Sequence, residues 1–245
     1  MKRCLSLFSI GVVSLFSVSC GVKSPEPAPV ASKPVVAAEQ PEAAPDITPL
    51  PAAKPMPFLK THGQIIVDDL GQPVLLRGCN IGGWLLLEPW IPGWDGQEGL
   101  ETEKEIWDLL GKRFGRDGKL ELIKAYREHF FMEDDVRRIA DFGLNCIRIP
   151  IWWRATSDPE YGGDFGYLDR CIDWCKRYGI YVVLDLQGAP GGQAAESANV
   201  GEPADGGSLW KKAEYKQRTI DWWKQVALRY KNEPAVAMYD LLNEG

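Results

Sequence analysis

RGCNIGGW, residues 77–84, stands at the end of the first run that reads as a core strand, Val74 to Cys79, and it decides between two architectures. Downstream, helix and strand alternate. Met132, Val136, Ile139 and Ala140 fall on one helical face stopped by Gly143, and LNCIRIPI (144–151) follows as a strand. Leu168, Cys171, Ile172 and Cys175 trace a second helix ended by Gly179, before IYVVLDL (180–186). Ile220, Trp223, Ala227 and Tyr230 make a third, closed by Pro234, before AVAMYDLL (235–242). Strands fed by helices imply a parallel sheet, and apolar runs of this kind are expected of strands covered on both faces. An open doubly wound sheet and a (β/α)8 TIM barrel both fit that pattern. A dinucleotide-binding open sheet needs Gly-x-Gly-x-x-Gly after its first strand, whereas here the glycines are Gly78, Gly82 and Gly83. Polar residues instead close each strand: Asn80, Arg148, Gln187, then Asn243 with Glu244. In barrels that rim carries the active site, so the barrel is predicted. Such a barrel takes about 250 residues, and the run from Phe58 to Gly245 reaches only a fourth strand; the expectation is a barrel truncated after about the fourth strand, the N-terminal half of a domain.

Upstream, the chain begins MKRCLSLFSIGVVSLFSVSCG, with basic Lys2 and Arg3 before an apolar stretch from Leu5 to Val18 that is short for a membrane span of about 20 residues. Residues 1–20 read as a signal peptide. Ser17-Val18-Ser19-Cys20-Gly21 resembles a bacterial lipoprotein cleavage site, in which Cys20 would carry the lipid; Ser17 departs from the usual Leu there. Residues 21–57 hold ten prolines, eight alanines and no aromatic side chain, the composition of an extended linker. The folded domain is expected from 58 to 245, secreted or held at the cell envelope by a lipid anchor.

Ten Trp, eight Tyr and eight Phe among 245 residues supply one sizeable core. A net charge of −6 without a Lys/Arg cluster excludes the electrostatic footprint of nucleic-acid binding. Outside the leader, Cys79, Cys146, Cys171 and Cys175 lack zinc-site spacing and are expected as buried thiols, with no metal. GQIIVDDLGQPVLL (63–76) reads as a hairpin, and two helical stretches are expected between it and Met132. Adjacent residues on a strand point to opposite faces, so at most one of Trp152 and Trp153 is expected in a cleft. The Gly/Ala-rich loop from Gly188 to Ser208 exceeds the usual strand-to-helix connection and is expected to wall the site.

Four blocks, LRGCNIGGWLLLEPWI, GLNCIRIPI, LDLQGAPGGQ and YDLLNE, occur in an order that resembles glycoside hydrolase family 5, in particular its exo-β-1,3-glucanase branch, over about Gly63 to Gly245. The resemblance implies a retaining hydrolase of β-1,3 or β-1,4 glucosidic bonds that works with two carboxyl groups about 5–5.5 Å apart, one an acid/base and one a nucleophile, without metal or organic cofactor. Carried over by motif, Glu244 matches the acid/base, Asn243 the partner of the sugar 2-hydroxyl, and Arg148 the arginine beside the nucleophile. Arg148 lies in an apolar strand, where a guanidinium needs a carboxylate. The match further implies Glu88 and Trp90 as contacts of the innermost sugar, joined by Asn80, Gln187 and Trp153.

In that family the nucleophile is a glutamate at the end of a seventh strand, so the 245-residue fragment is expected to be inactive and its exposed strand edges to favour aggregation, with Arg148 lacking its counter-charge. The intact protein is expected to be a monomer. Where the family carries histidine, this chain has Gln187, which can donate and accept hydrogen bonds but carries no proton. That departure keeps a second reading open, a non-catalytic envelope lipoprotein that binds glycan on the same fold. In either reading the partner is a β-glucan oligosaccharide or polysaccharide, with a membrane touched only through a lipid anchor.

Overall fold

The computed structural model describes residues 55–94, 96, 100–194, 200–202 and 207–245; the leader, most of the linker and Cys20 lie outside the described residues. Strands β1 (Lys60–His62) and β2 (Ile65–Val67) form an antiparallel hairpin about Gly63 and Gln64. The sequence placed the hairpin turn later and took Val74 to Cys79 as the first core strand. In the structure that arm shrinks to one bridge, Val67 to Pro73, with the Val74 N–H donating to the Ile66 carbonyl at 2.9 Å. The first core strand, β3, is only Gly78–Asn80; just before it the Asn145 side chain accepts the Arg77 N–H at 2.7 Å and donates to the Leu75 carbonyl at 3.0 Å in place of ladder bonds.

β3 pairs with β4 (Cys146–Trp152), β4 with β5 (Tyr181–Gly188) and β5 with β6 (Val236–Asp240), every pair parallel and in chain order. This is the strand succession of a (β/α)8 barrel, represented by four strands. Alternation along the strands separates two faces. Ile147, Ile149 and Ile151 on β4 and Val182, Leu184 and Leu186 on β5 are fully buried in the core. Burying an aliphatic side chain of this size contributes about 1.5–3 kcal/mol, so this face dominates the packing. The other face carries Arg148, Val183, Asp185, Gln187 and Asp240, by register partnership. The strands are therefore not apolar on both faces, as their runs suggested; their second face is where charge collects.

Helix α1 (Glu103–Phe130) bends at Gly115, whose φ of 76° and ψ of 174° are non-helical, so two helical stretches run end to end as the sequence predicts. Thr102 caps it through its hydroxyl, which accepts from the Glu105 N–H at 3.2 Å. α2 (Glu133–Asp141) starts where the Asp135 carboxylate accepts the Met132 N–H at 2.8 Å, and it buries Val136. α3 (Trp153–Ser157) follows β4 directly, and α4 (Gly166–Tyr178) buries Leu168, Cys171, Ile172 and Cys175 and is capped by Gly179. After α5 (Ser208–Lys211), α6 (Ala213–Tyr230) buries Trp222, Val226 and Tyr230. Tyr230 is buried as predicted, but Ile220 and Ala227 are exposed; Trp222 and Val226 turn inward instead, the Trp222 indole donating to Thr156 Oγ1 at 2.8 Å. Three thiols are buried as expected, but Cys79 is exposed on β3, the outer strand of the sheet.

The segment between β3 and α1 positions part of the site. Trp84, Leu85, Leu86 and Leu87 are buried, and Leu85 bridges to Ile151 in parallel. Gly83 has a φ of 82°, and a Cβ there would meet the Phe130 ring at 2.9 Å, so only glycine fits. Glu103, buried in α1, accepts the Leu87 N–H at 2.8 Å and the Trp107 indole N–H at 2.8 Å, and pairs with the buried Arg127 at 3.3 Å. Burial outweighs the pairing: it raises the Glu103 pKa and lowers that of Arg127. The brace holds the backbone one residue before Glu88.

Candidate active site

Arg148 lies mid-strand on β4, in register with Asn80 of β3 and Val183 of β5, rather than at the strand's end. Its length carries the guanidinium up to groups from the other three strands and from the stretch after β6. Nε and Nη2 donate to Asp240 Oδ2 at 3.1 and 3.0 Å, and Nη1 donates to Asn80 Oδ1 at 3.2 Å and to Gln187 Oε1 at 3.4 Å. Nη2 also donates to Asn243 Oδ1 at 3.0 Å. The expectation that Arg148 would lack a counter-charge is corrected: Asp240 and Asp185 each place an oxygen 3.0 Å from Nη2. Arg148 is also less buried than an apolar strand suggested, with 28% of its side chain exposed.

Asp185 is fully buried, and the two contacts differ in kind. The distance to Arg148 makes an ion pair, yet the N–H does not point at the oxygen, and neither Asp185 oxygen accepts a hydrogen bond among the described residues. A carboxylate so placed loses water without replacing it. Burial pushes the Asp185 pKa up to about 7; Arg148 opposes the shift, and the negative charges of Asp240 and Glu88 add to it.

Gln187 links Arg148 to the segment after β3. Its Oε1 accepts from Arg148 while its Nε2 donates to Glu88 Oε1 at 3.3 Å, a pattern that fixes the amide orientation. Glu88 in turn accepts the Trp90 indole N–H at 2.6 Å. Burial raises the Glu88 pKa; the Trp90 bond and Arg148 lower it, and the charge of Glu244 raises it. Trp90 itself is 58% exposed, a large apolar surface held at one end by a carboxylate. Asn243 is fixed by its side-chain bond to Arg148 and by its N–H, which donates to the Leu186 carbonyl at 3.2 Å. Glu244 follows with a φ of 45°, within electrostatic range of Glu88.

The structure thus brings Asn80, Arg148, Gln187, Glu88, Trp90 and Asn243 into one hydrogen-bonded chain, with Glu244 beside it. Trp153 does not belong to it. β4 shifts register between Ile151 and Trp152 and α3 begins at Trp153, so the alternation rule fails there. Both indoles donate to Glu202 Oε1, at 3.3 and 3.1 Å, and Arg154 joins them at 2.6 Å. Trp153 is buried, with the guanidinium groups of Arg154 and Arg218 over its ring at 4.6 and 5.3 Å, apart from the Arg148 network. Asp185, Asp240 and Glu202 were missed. The signal for Asp185 was present, since it stands two residues before Gln187 and so shares its face.

Residues 111–245 match the model of the family described as Cellulase (glycosyl hydrolase family 5). The chain belongs to glycosyl hydrolase family 5. It is 35% identical over 201 residues to a beta-xylosidase of Phanerodontia chrysosporium, covering 77% of this chain and 40% of that protein. It is 34% identical to the "Probable glucan 1,3-beta-glucosidase A" of Aspergillus clavatus over 71% of this chain and 42% of the relative. The crystal structure of rutinosidase from Aspergillus niger superimposes with a TM-score of 0.55 at 21% identity, covering 69% of this chain and 48% of that one, which shows the shared fold. This family 5 chain spans about two fifths of the length of those two curated relatives.

Proposed function

We propose that this family 5 chain serves a retaining glycoside hydrolase of β-glucans, with Glu244 as acid/base, Asn243 and Arg148 orienting the sugar being cleaved, and Glu88, Trp90, Asn80 and Gln187 receiving it. The observation that carries the reading is the Arg148 fan, in which one guanidinium holds Asn243, the neighbour of Glu244, and Gln187, the neighbour of Glu88, in a single frame. Positioning of this kind is what a glycosidase needs, because its oxocarbenium-like transition state leaves little covalent work to the protein beyond two carboxyl groups. Asp240 and Asp185 lie 3.0 Å from one nitrogen of the Arg148 guanidinium, Glu88 is within electrostatic range of it, and Glu244 is within range of Glu88, so ionised Asp240 and Glu88 favour a developing positive charge. The exposed Trp90 ring suits the apolar face of a sugar.

The nucleophile is assigned to none of these other carboxyl groups. Glu88 is engaged by Trp90 and Gln187, Asp240 by Arg148, and Asp185 is buried beneath them. We place it in a further part of the barrel, so the 245 residues alone are expected to leave laminarin intact while the protein at the length of its relatives cleaves it. Retention of configuration, read by NMR of the first product anomer, together with turnover of laminarin or a cello-oligosaccharide, tests the reading; glucan binding without turnover in the full-length protein sinks it. An envelope location through lipid on Cys20 belongs to the same proposal and rests on the leader sequence. Palmitate labelling should vanish in Cys20→Ala, and labelling that persists would remove the anchor.

A further inference from the structure

Gln193 lies in the loop after β5, at the end of the LDLQGAPGGQ block, where the resemblance gave it no role. Its side chain is only 3% exposed, and its amide is used on both ends. Oε1 accepts from the Ala189 N–H at 3.2 Å, and Nε2 donates to the Gln187 carbonyl at 2.7 Å and to the Asn243 carbonyl at 2.8 Å. The partners determine the orientation, since the reverse amide would set an oxygen against two carbonyls. Its own carbonyl accepts the Trp210 indole N–H at 2.8 Å. One residue therefore ties the end of β5, the stretch after β6 and α5 together.

The Asn243 carbonyl belongs to the same peptide unit as the Glu244 N–H. Glu244 has a φ of 45°, in the left-handed region that residues with a Cβ rarely adopt unless their surroundings impose it. Three bonds flank that turn: Asn243 N–H to Leu186, Arg148 to the Asn243 side chain, and Gln193 to the Asn243 carbonyl. The last acts directly on the peptide plane that leads into Glu244.

We propose that Gln193 is a positioning residue for Glu244, fixing the Asn243–Glu244 peptide plane and so the direction in which the acid/base carboxyl leaves the backbone. The catalytic part of this rests on the reading of Glu244 given above; the backbone part does not.

The test uses the full-length protein, with Gln193→Ala and the isosteric Gln193→Glu, which keeps the volume but sets a second oxygen against both carbonyls. On a laminari-oligosaccharide, kcat should fall by on the order of 10²-fold with KM nearly unchanged, as for a catalytic group displaced by about 1 Å. On an aryl β-glucoside whose leaving group needs no proton the loss should be several-fold smaller. Crystal structures of the variants should show the Asn243 carbonyl rotated and Glu244 out of the left-handed region. Equal losses on both substrates, or a Glu244 backbone unmoved in both variants, would overturn the proposal. If the wild-type protein cleaves no β-glucoside, the functional reading fails, while the backbone comparison still decides the role of Gln193.

Discussion

Asp185 and Asp240 are register partners on β5 and β6, and each holds an oxygen 3.0 Å from the same nitrogen of Arg148. One guanidinium thus serves two carboxylates, and only Asp240 receives aligned hydrogen bonds. The arrangement leaves Asp185 as the group whose charge is costly, in keeping with its pKa of about 7.

A stability profile follows with a definite sign. An unfolded Asp titrates near about 3.9, so between roughly pH 4 and pH 7 the folded protein holds a proton that the unfolded chain has lost. Stability contributed by protonated Asp185 is therefore present at low pH and is lost as the pH rises through the folded pKa of about 7. The urea midpoint of the wild type should fall between pH 5 and pH 8 more steeply than that of Asp185→Asn. Parallel profiles for the two proteins would show that Asp185 does not titrate in this range.

The brace behind Glu88 gives a second expectation. Removing one partner from a buried ion pair leaves the other uncompensated, at about 3–5 kcal/mol. Glu103→Ala strands Arg127 and also frees the Leu87 N–H, one residue before Glu88. Urea denaturation should register a loss of that order, and under the proposed function the KM of the protein at the length of its relatives should rise with it. A change under about 1 kcal/mol would mean that the pair is dispensable.

How far the sequence carries this site depends on distance along the chain. Helix stops at Gly143 and Gly179 and the runs of β4 and β5 are local signals, and they were legible. The need of Arg148 for a carboxylate was legible too, but not its identity: Asp240 lies 92 positions away, and only the β4–β5–β6 register brings it there. The alternation argument for Trp152 and Trp153 does not hold across a register shift and into a helix start, where both indoles converge on Glu202. On α6, adjacent tryptophans gave periodicity two acceptable phases, and the hydrogen bond from Trp222 to Thr156 selects one. Gln193 ends the LDLQGAPGGQ block, but the bonds it makes to the Gln187 and Asn243 carbonyls exist only in the folded loop.

The fan of Arg148 depends on a planar fork, which lysine lacks. Arg148→Lys keeps the charge near Asp185 and Asp240 but cannot bond Asn80, Gln187 and Asn243 at once. If the proposed function holds, kcat of the protein at the length of its relatives should drop by on the order of 10²-fold through misplaced side chains around the sugar. The unfolding midpoint should move less than in Glu103→Ala, because Arg148 is partly exposed. Near-wild-type turnover in Arg148→Lys would reduce the arginine to a charge and remove the framing role on which the functional proposal stands.

Glu244 separates acid catalysis from binding. A general acid contributes about 10²–10⁴-fold, and it does so in proportion to the leaving group's need for a proton. Glu244→Gln keeps the size of the side chain and leaves the bonds of Asn243 to Arg148, Leu186 and Gln193 intact. Hydrolysis of a natural glucan by the full-length variant should therefore fall by two or more powers of ten, while cleavage of an activated aryl glucoside falls far less at the glycosylation step. In the proposed mechanism the same residue would activate water in the second half of the reaction, so an external anion such as azide, which needs no base, should restore turnover of the activated substrate. Equal losses on both substrates with no rescue by azide would assign Glu244 to substrate binding and send the search for the acid elsewhere in the barrel.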